Sequence, residues 1–218
     1  PVNTIDPINP YSPHTSIDYD AMGRAVRTTN PDGTYANLIY GNWETAGIDE
    51  NGHMQKSYAD AYGRLIKKEE YAGADGRAAP IYPTSAYALY ATTLYTYDSE
   101  GNLTQAQDAQ GNIVTINYDT LGRKVSMADP DMGAWQYEYD AAGNLTRQTD
   151  AKGQIIEFTY DALNRLVNKT DGGTLNVNYT YDDNSIPNSK GRLVKADYRA
   201  DANAQFRYDD LGRENESF

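Results

Sequence analysis

Few residues of this chain have the chemistry and spacing of a catalytic site. The only histidines, His14 and His53, lie in different segments and lack a neighbouring histidine at metal-ligand spacing. The chain has no cysteine for thiolate chemistry, and neither Gly-x-Ser-x-Gly nor Gly-x-x-x-x-Gly-Lys occurs in it. We therefore expect no enzyme activity, no catalytic residue and no cofactor.

Closely spaced aspartates are the remaining candidates for a metal site. Carboxylate oxygens suit Ca²⁺, but none of the pairs fits the loop of an EF-hand. An aspartate shortly before a glycine is typical of a tight turn, so we interpret these residues as turn caps and expect no metal site. The pairs are Asp129/Asp131, Asp182/Asp183 and Asp209/Asp210.

Tyrosine is the most conspicuous residue type, with 20 copies against 3 phenylalanines and 2 tryptophans. Aromatic rings can stack on sugars, but tyrosines that alternate with polar residues are more typical of packing on a sheet. We favour packing and keep carbohydrate binding as the alternative. The arginines that follow the turns are expected to pair with turn carboxylates or neighbouring carbonyls.

These residues are positioned by a repeat. Seven Tyr-Asp pairs occur, and from Tyr97 to Tyr181 they are spaced 21 residues apart. The next interval, to Tyr208, is longer by a six-residue insertion at residues 183–190. A second Asp-Gly turn signal lies near the middle of each period, so one period is two strands and two turns.

Five of the seven Tyr-Asp pairs open an Asp-x-x-Gly turn, in which Asp accepts backbone hydrogen bonds and Gly takes a left-handed conformation. Asn164 replaces the glycine in one repeat, because Asn also tolerates that conformation. We expect these residues to have a structural role in the repeat. They are Tyr19, Asp20, Gly23, Tyr97, Asp98, Gly101, Tyr118, Asp119, Gly122, Tyr139, Asp140, Gly143, Tyr160, Asp161, Asn164, Tyr181, Asp182, Tyr208, Asp209 and Gly212.

The fold class predicted from this period is all-β, a repetitive antiparallel β-hairpin ribbon. Apolar residues alternate with polar ones between turns, so one face of each hairpin is apolar and needs neighbouring hairpins to cover it. We divide the chain into a Pro-rich lead-in (1–16), degenerate repeats (17–71), an Ala/Tyr/Pro-rich insertion (72–94) and regular repeats (95–218). The insertion is expected to be a short helix or a long loop packed on the sheet.

Charge and hydropathy exclude other partners. The formal net charge of −12 would repel phosphate backbones, so we expect no nucleic-acid binding. No apolar run is long enough to span a bilayer. The chain begins at Pro1 and ends shortly after a Tyr-Asp pair, which suggests an excerpt from a longer protein whose open strand edges would allow self-association.

The runs Tyr118-Asp-Thr-Leu-Gly-Arg123, Tyr139-Asp-Ala-Ala-Gly-Asn-Leu145 and Tyr160-Asp-Ala-Leu-Asn-Arg-Leu166 resemble the YD repeat of the RHS family. The resemblance covers roughly residues 17–213. It implies a hairpin ribbon that spirals into a hollow shell, as in bacterial Rhs polymorphic toxins, toxin-complex encapsulating components and teneurins. Bacterial members enclose a toxic C-terminal polypeptide.

From this resemblance we expect a structural module that encapsulates a toxin or other polypeptide, with the remainder of the parent shell and the enclosed polypeptide as partners. A secreted or cell-surface location is also implied. The family's self-cleavage signature, Asp-Pro-x-Gly-Leu, is not matched, since Asp129-Pro-Asp-Met-Gly133 is followed by Ala134. The alternative function is an extracellular or cell-surface module that recognises carbohydrate or a protein receptor.

Overall fold

A computed structural model describes residues 14–73, 87–198 and 202–217. Within these ranges the chain is all-β, as the period predicts, and contains no helix. Most of the predicted lead-in, residues 1–13, lies outside the described residues, as do residues 74–86 of the predicted insertion.

The chain forms two compact units, Pro1–Ile113 and Val114–Phe218. In the first unit each described strand pairs antiparallel with the next one along the chain. The strands are β1 (Ser16–Tyr19), β2 (Ala25–Thr29), β3 (Tyr35–Tyr40), β4 (Glu44–Ile48), β5 (Met54–Ala59), β6 (Leu65–Gly73), β7 (Tyr87–Tyr97) and β8 (Leu103–Gln107).

The second unit repeats this arrangement with shorter and more regular strands. All but the first residue of β9 belongs to this unit, and consecutive strands from β9 onward again pair antiparallel. The strands are β9 (Ile113–Tyr118), β10 (Lys124–Asp129), β11 (Gly133–Tyr139), β12 (Leu145–Thr149), β13 (Ile155–Tyr160), β14 (Leu166–Thr170), β15 (Asn176–Tyr181), β16 (Leu193–Tyr198), β17 (Ala202–Tyr208) and β18 (Glu214–Ser217).

The hairpins turn where the sequence predicts. At Asp119 the Gly122 N–H donates to the Asp carbonyl at 3.0 Å, and the Asp N–H donates to the carbonyl of Arg123 at 2.9 Å. Gly122 has φ 75. This is a turn closed by a left-handed residue, with a bulge in the strand beside it. Asn164 has φ 60 at the equivalent position.

Several strands, β11 most clearly, alternate between a half-buried and an exposed face. On β11, Trp135, Tyr137 and Tyr139 are half-buried, while Gln136 and Glu138 between them are exposed. The period of two therefore separates apolar from polar side chains, as expected of a half-buried strand.

Full burial is confined to a few side chains of moderate size. Among the described residues the buried apolar ones are Ala46, Ile48 and Met54 in the first unit, with Val177, Val194 and Ala196 in the second. Six of the seven Tyr-Asp tyrosines are half-buried and Tyr19 is 60% exposed, so these tyrosines are not part of the fully buried core.

The stretch 72–94 differs from the loop or short helix expected there. Its described residues are strand: residues 72–73 end β6, and 87–94 belong to the 11-residue strand β7. Residues of low charge and high Tyr, Leu and Thr content are good strand formers, and β7 pairs with β6 over residues 67–73.

The six-residue insertion forms an ordered loop between Asp182 and Arg192. The Asp182 N–H donates to the Arg192 carbonyl at 3.3 Å, so the two ends meet as in a short turn. Within the loop, buried Ser189 donates its hydroxyl to the carbonyl of Asp183 at 2.7 Å, and Asn188 has φ 60.

Gly133 is the glycine of the second unit at which a side chain should be most damaging. It has φ 75, and a Cβ added there would overlap the Cβ of Ala151. We expect Gly133→Ala to lower the free energy of unfolding by about 2–3 kcal/mol, measured by chemical denaturation. Gly143, at φ 92 with open space around it, is the control, and Gly143→Ala should cost about 1 kcal/mol. If Ala151→Gly in the Gly133→Ala background restores nothing, the overlap is not the cause.

Candidate functional site: the Tyr-Asp turns

The predicted repeat residues occupy equivalent places in the structure. Each of the seven tyrosines is the last residue of a strand, and the aspartate after it opens the turn. The strands that end in this way are β1, β7, β9, β11, β13, β15 and β17. The structural roles assigned to the whole set stay a prediction, and the contacts below show how such roles would arise.

The turn aspartate is held by three hydrogen bonds in the turns that carry an arginine. Asp119 Oδ1 accepts the N–H groups of Leu121 and Arg123, both at 2.9 Å, and its Oδ2 accepts Arg123 Nε at 2.7 Å. The same three bonds recur at Asp20, Asp60, Asp161 and Asp209. The backbone N–H of Arg123 is the largest influence on Asp119 and lowers the pKa of this carboxyl.

The arginine also reaches the next repeat. The guanidinium carbon of Arg123 lies 4.8 Å from the ring centroid of Tyr139, and Arg123 Nη1 donates to the carbonyl of Asp140 at 3.1 Å. Tyr139 in turn donates its hydroxyl to the carbonyl of Lys124 at 2.8 Å. We call this unit, the arginine of one turn with the tyrosine that ends the second strand after that turn, the Tyr-Arg latch.

The Tyr-Arg latch recurs along the chain, which makes it a property of the repeat and not of one position. In each case the hydroxyl donates to the carbonyl of the residue after the arginine, at 2.7–3.1 Å, and the guanidinium lies over the ring. The pairs are Arg24/Tyr40, Arg64/Tyr97, Arg123/Tyr139, Arg165/Tyr181 and Arg192/Tyr208.

Two of the Tyr-Asp turns have asparagine at the position that arginine occupies in the others. Asn144 Nδ2 donates to Asp140 Oδ2 at 2.9 Å, and Asn102 does the same to Asp98 at 3.0 Å. The hydroxyl bond to the next repeat survives without the guanidinium, since Tyr160 donates to the carbonyl of Leu145 at 2.8 Å. The asparagine therefore keeps the turn and the hydroxyl link but not the contact over the ring.

A buried carboxylate on the first unit was not anticipated from the sequence. Glu69 on β6 is 9% exposed, and its Oε2 accepts the hydroxyls of Tyr58 at 2.7 Å and Tyr71 at 2.6 Å. Lys67 Nζ donates to Oε1 at 2.8 Å. The only sequence signal is a Lys-Lys-Glu-Glu-Tyr run, which on a strand places Lys67, Glu69 and Tyr71 on one face.

The charges in this Glu69 cluster shift each other's ionisation. Burial alone raises the pKa of Glu69, but hydrogen bonds from Lys67, Tyr71 and Tyr58 outweigh it and lower the pKa to about 2. Both tyrosines have a raised pKa, for which burial is the larger cause and the hydrogen bond to the Glu69 carboxylate the second. The pKa of Tyr71 is raised to about 12, and that of Tyr58 is raised more than that of Tyr71. All members are satisfied, so the cluster is a closed network and not an open binding site.

These shifts predict acid sensitivity. A carboxyl whose pKa is lower when folded than unfolded stabilises the fold above its ordinary pKa, near 4, and loses that effect as the pH falls toward 2. Hydrogen bonds lower the pKa of Glu69 and that of Asp171 to about 2, and they also lower the pKa of Asp119 and Asp140 in the Tyr-Asp turns. We expect the free energy of unfolding to fall steeply between pH 4 and pH 2 in denaturation series. A flat profile in this window would contradict the shifts, and Asp171→Asn should reduce the slope.

The other candidates from the sequence do not assemble into a site. His53 Nδ1 lies 3.0 Å from Asp49 Oδ2 in a mid-repeat turn, and His14 lies exposed before β1. Asp131 donates its N–H to Asp129 Oδ1 at 2.8 Å, which is turn capping. Across residues 14–73, 87–198 and 202–217 no three His, Asp or Glu side chains are grouped closely enough to hold a metal ion.

Comparison with models of known families found a match to one repeat family. The RHS Repeat model matches residues 97–131, 118–155 and 139–175, each spanning consecutive Tyr-Asp turns. Residues 97–175 therefore match RHS repeats. A search of curated proteins found no match.

The RHS repeats of this chain share their fold with solved structures of toxin-complex proteins. A structure described as TcdB2-TccC3-Cdc42 matches with a TM-score of 0.69 at 17% identity, over 93% of this chain and 11% of that one. TcdB2-TccC3 without its hypervariable C-terminal region matches with a TM-score of 0.60 at 17% identity, over 93% and 13%. A Photorhabdus luminescens Tc holotoxin pore matches with a TM-score of 0.60 at 17% identity, over 93% and 12%. This chain thus spans about an eighth or less of those chains.

A membrane-spanning helix is not part of the described structure. No helix long and apolar enough to cross a bilayer occurs in the described ranges.

Proposed function

We propose that this chain is a segment of the wall of a larger RHS-repeat shell that encloses a polypeptide, with a toxin as the favoured cargo. In this proposal its partners are the rest of the shell and the enclosed polypeptide, the shell acts outside the cell that makes it, and the segment itself is not an enzyme. The fold shared with proteins of a Tc holotoxin supports the cargo and the location.

The Tyr-Arg latch is the observation that carries the proposal. Its polar groups are engaged within the repeat array: the hydroxyl and one guanidinium nitrogen of Arg123 bond to backbone carbonyls, and Nε bonds to the turn aspartate. Residues placed in this way connect each turn to the next. A wall needs such continuity, because every repeat is stabilised chiefly by its neighbours.

The same contacts disfavour the carbohydrate alternative for the tyrosines in the latches. A sugar would stack on the face of an aromatic ring, and on Tyr139 a guanidinium carbon already lies 4.8 Å from the ring centroid. Tyr40 and Tyr181 are covered in the same way, at 4.3 Å and 4.4 Å.

The test uses the full-length protein that contains this chain. Limited proteolysis with mass spectrometry should reveal a polypeptide that is protected until the wall is weakened. We expect Arg123→Ala with Arg165→Ala to expose that polypeptide, whereas Glu157→Gln on the exposed face should leave it protected. A full-length protein without any protected polypeptide, or protection that persists when the wall itself is cleaved, would overturn the proposal.

A further inference from the structure

A pocket of about 400 Å³ lies in the second unit, where β11, β12 and β13 meet the mid-repeat turns. It is lined in part by Trp135, Gln148, Asp150 and Gln154. Trp135 and Gln148 share a face of the sheet, because Gln148 pairs with Tyr137, two residues after the tryptophan. The pocket thus combines one aromatic ring with three polar side chains, and its volume is in the range of small-ligand sites.

The repeat does not require a tryptophan at this place. Trp135 lies four residues before the Tyr-Asp tyrosine of its strand, where other strands of the second unit carry the aliphatic residues Val114, Ile156, Val177 and Ala204. Its half-buried ring is held by the indole N–H, which donates to the carbonyl of Met132 at 3.2 Å. Lys124 Nζ lies 4.4 Å from the ring centroid of the neighbouring Tyr137, whereas no cation of the described residues covers Trp135.

Asp150 has a carboxylate oxygen that its turn does not use. Oδ1 accepts the N–H groups of Lys152 and Gln154 at 2.9 Å and 2.8 Å. In the equivalent turn at Asp108, Oδ2 also accepts the side-chain amide of Asn112, at 2.8 Å. Gln154 takes the place of that asparagine and is one methylene longer. Among the described residues, neither its side-chain amide nor Asp150 Oδ2 has a hydrogen-bond partner.

These groups match the chemistry of a sugar ring. A pyranose has an apolar face of C–H groups that stacks on an aromatic ring, and a rim of hydroxyls. A carboxylate accepts from hydroxyls, and an amide both donates and accepts. Gln148 supplies a second amide, which likewise has no hydrogen-bond partner within the described ranges. Two neutral amides beside one carboxylate suit a neutral polyol better than an ion.

We propose that this pocket binds a hexopyranose unit of a glycan. The sugar ring stacks on Trp135, and its hydroxyls bond to Asp150 Oδ2 and to the amides of Gln148 and Gln154. A single sugar unit offers few atoms for contact, so we expect a dissociation constant of about 1 mM. This site goes beyond the proposed function, since neither the pocket nor its test involves an enclosed polypeptide.

The first test is the fluorescence of the 218-residue chain carrying Trp43→Phe. The chain has two tryptophans, and Trp43 belongs to the first unit, so Trp135 is then the sole tryptophan reporter. The probes are glucose, galactose, N-acetylglucosamine and the β-1,4-linked tetramers of glucose and of N-acetylglucosamine. We expect at least one probe to change the tryptophan emission saturably, with a midpoint of about 1 mM.

Isothermal titration calorimetry with the responding probe then compares three variants. Trp135→Val restores the aliphatic residue of the other repeats and should raise the dissociation constant by about tenfold or more. Gln154→Asn should rebuild the turn seen at Asp108 and occupy Asp150 Oδ2, so it should weaken binding by about fivefold without lowering the melting temperature. Lys152→Ala is the matched control in the same turn, because its side chain does not line the pocket, and it should keep the parent affinity.

Circular dichroism and thermal melts verify that the variants fold. Three results would overturn the proposal: no response to any probe in large excess over the expected dissociation constant, full affinity in Trp135→Val, or full affinity in Gln154→Asn. A response to tetramethylammonium but to no sugar would also overturn it, and would indicate a cation site, since an indole face beside a carboxylate suits an ammonium group.

Discussion

Replacing Glu69 by alanine should lower the free energy of unfolding by about 3 kcal/mol. The loss arises because the hydroxyls of Tyr58 and Tyr71 and the ammonium of Lys67 would keep their half-buried places without the carboxylate that accepts them. Lys67 retains a 34% exposed side chain and can turn to solvent, which limits the cost.

Chemical denaturation of the chain, monitored by tyrosine fluorescence, measures this effect. The neighbouring Glu70 is a matched control, since its 45% exposed side chain pairs with Lys68 at 3.3 Å on the other face of β6. Glu70→Ala should cost about 0.5 kcal/mol. Equal losses for the two variants would show that the buried contacts of Glu69 contribute no more stability than an exposed ion pair.

Replacing Tyr139 by alanine should lower the free energy of unfolding by about 2–3 kcal/mol. The variant loses the half-buried ring, the hydroxyl bond to Lys124 and the contact with the Arg123 guanidinium. Tyr139→Phe retains the ring and should lose about 1 kcal/mol, which is the contribution of one hydrogen bond. Thermal or chemical denaturation of the pair separates these contributions.

Tyr90 is the control for Tyr139, because its side chain is 76% exposed on β7. Tyr90→Ala should therefore change stability by about 0.5 kcal/mol or less. If Tyr139→Ala unfolds like the parent protein, the Tyr-Arg latch contributes no stability and the structural role proposed for the Tyr-Asp residues is lost.

The turns could be predicted from the sequence because they are decided locally. An aspartate that accepts the N–H groups two and four residues ahead, followed by a residue that tolerates positive φ, closes a hairpin whatever surrounds it. The period then fixes which strands are neighbours. Even the exchange of Gly for Asn164 follows from this local chemistry.

The Glu69 cluster could not be predicted in this way, because it depends on the register between strands. Tyr58 reaches Glu69 because β5 pairs with β6 so that Lys56 lies opposite Glu69 and Tyr58 opposite Lys67. Residues 60–64 connect these strands within a degenerate part of the repeat, where the period is too irregular to give the register. The degree of burial of the tyrosines could not be predicted for a related reason: alternation shows which face a side chain is on but not how much covers that face.

The loop between Asp182 and Arg192 marks a place where the repeat array accepts extra residues. Although it is six residues longer than the other turns, Arg192 still lies over Tyr208, and Tyr208 still donates its hydroxyl to the carbonyl of Leu193 at 2.7 Å. The strands on either side keep their pairing. Extra sequence inserted between the aspartate and the arginine is therefore looped out without disturbing the repeats beyond it, which makes this interval a natural entry point for foreign peptides, epitopes or whole domains in an engineered shell.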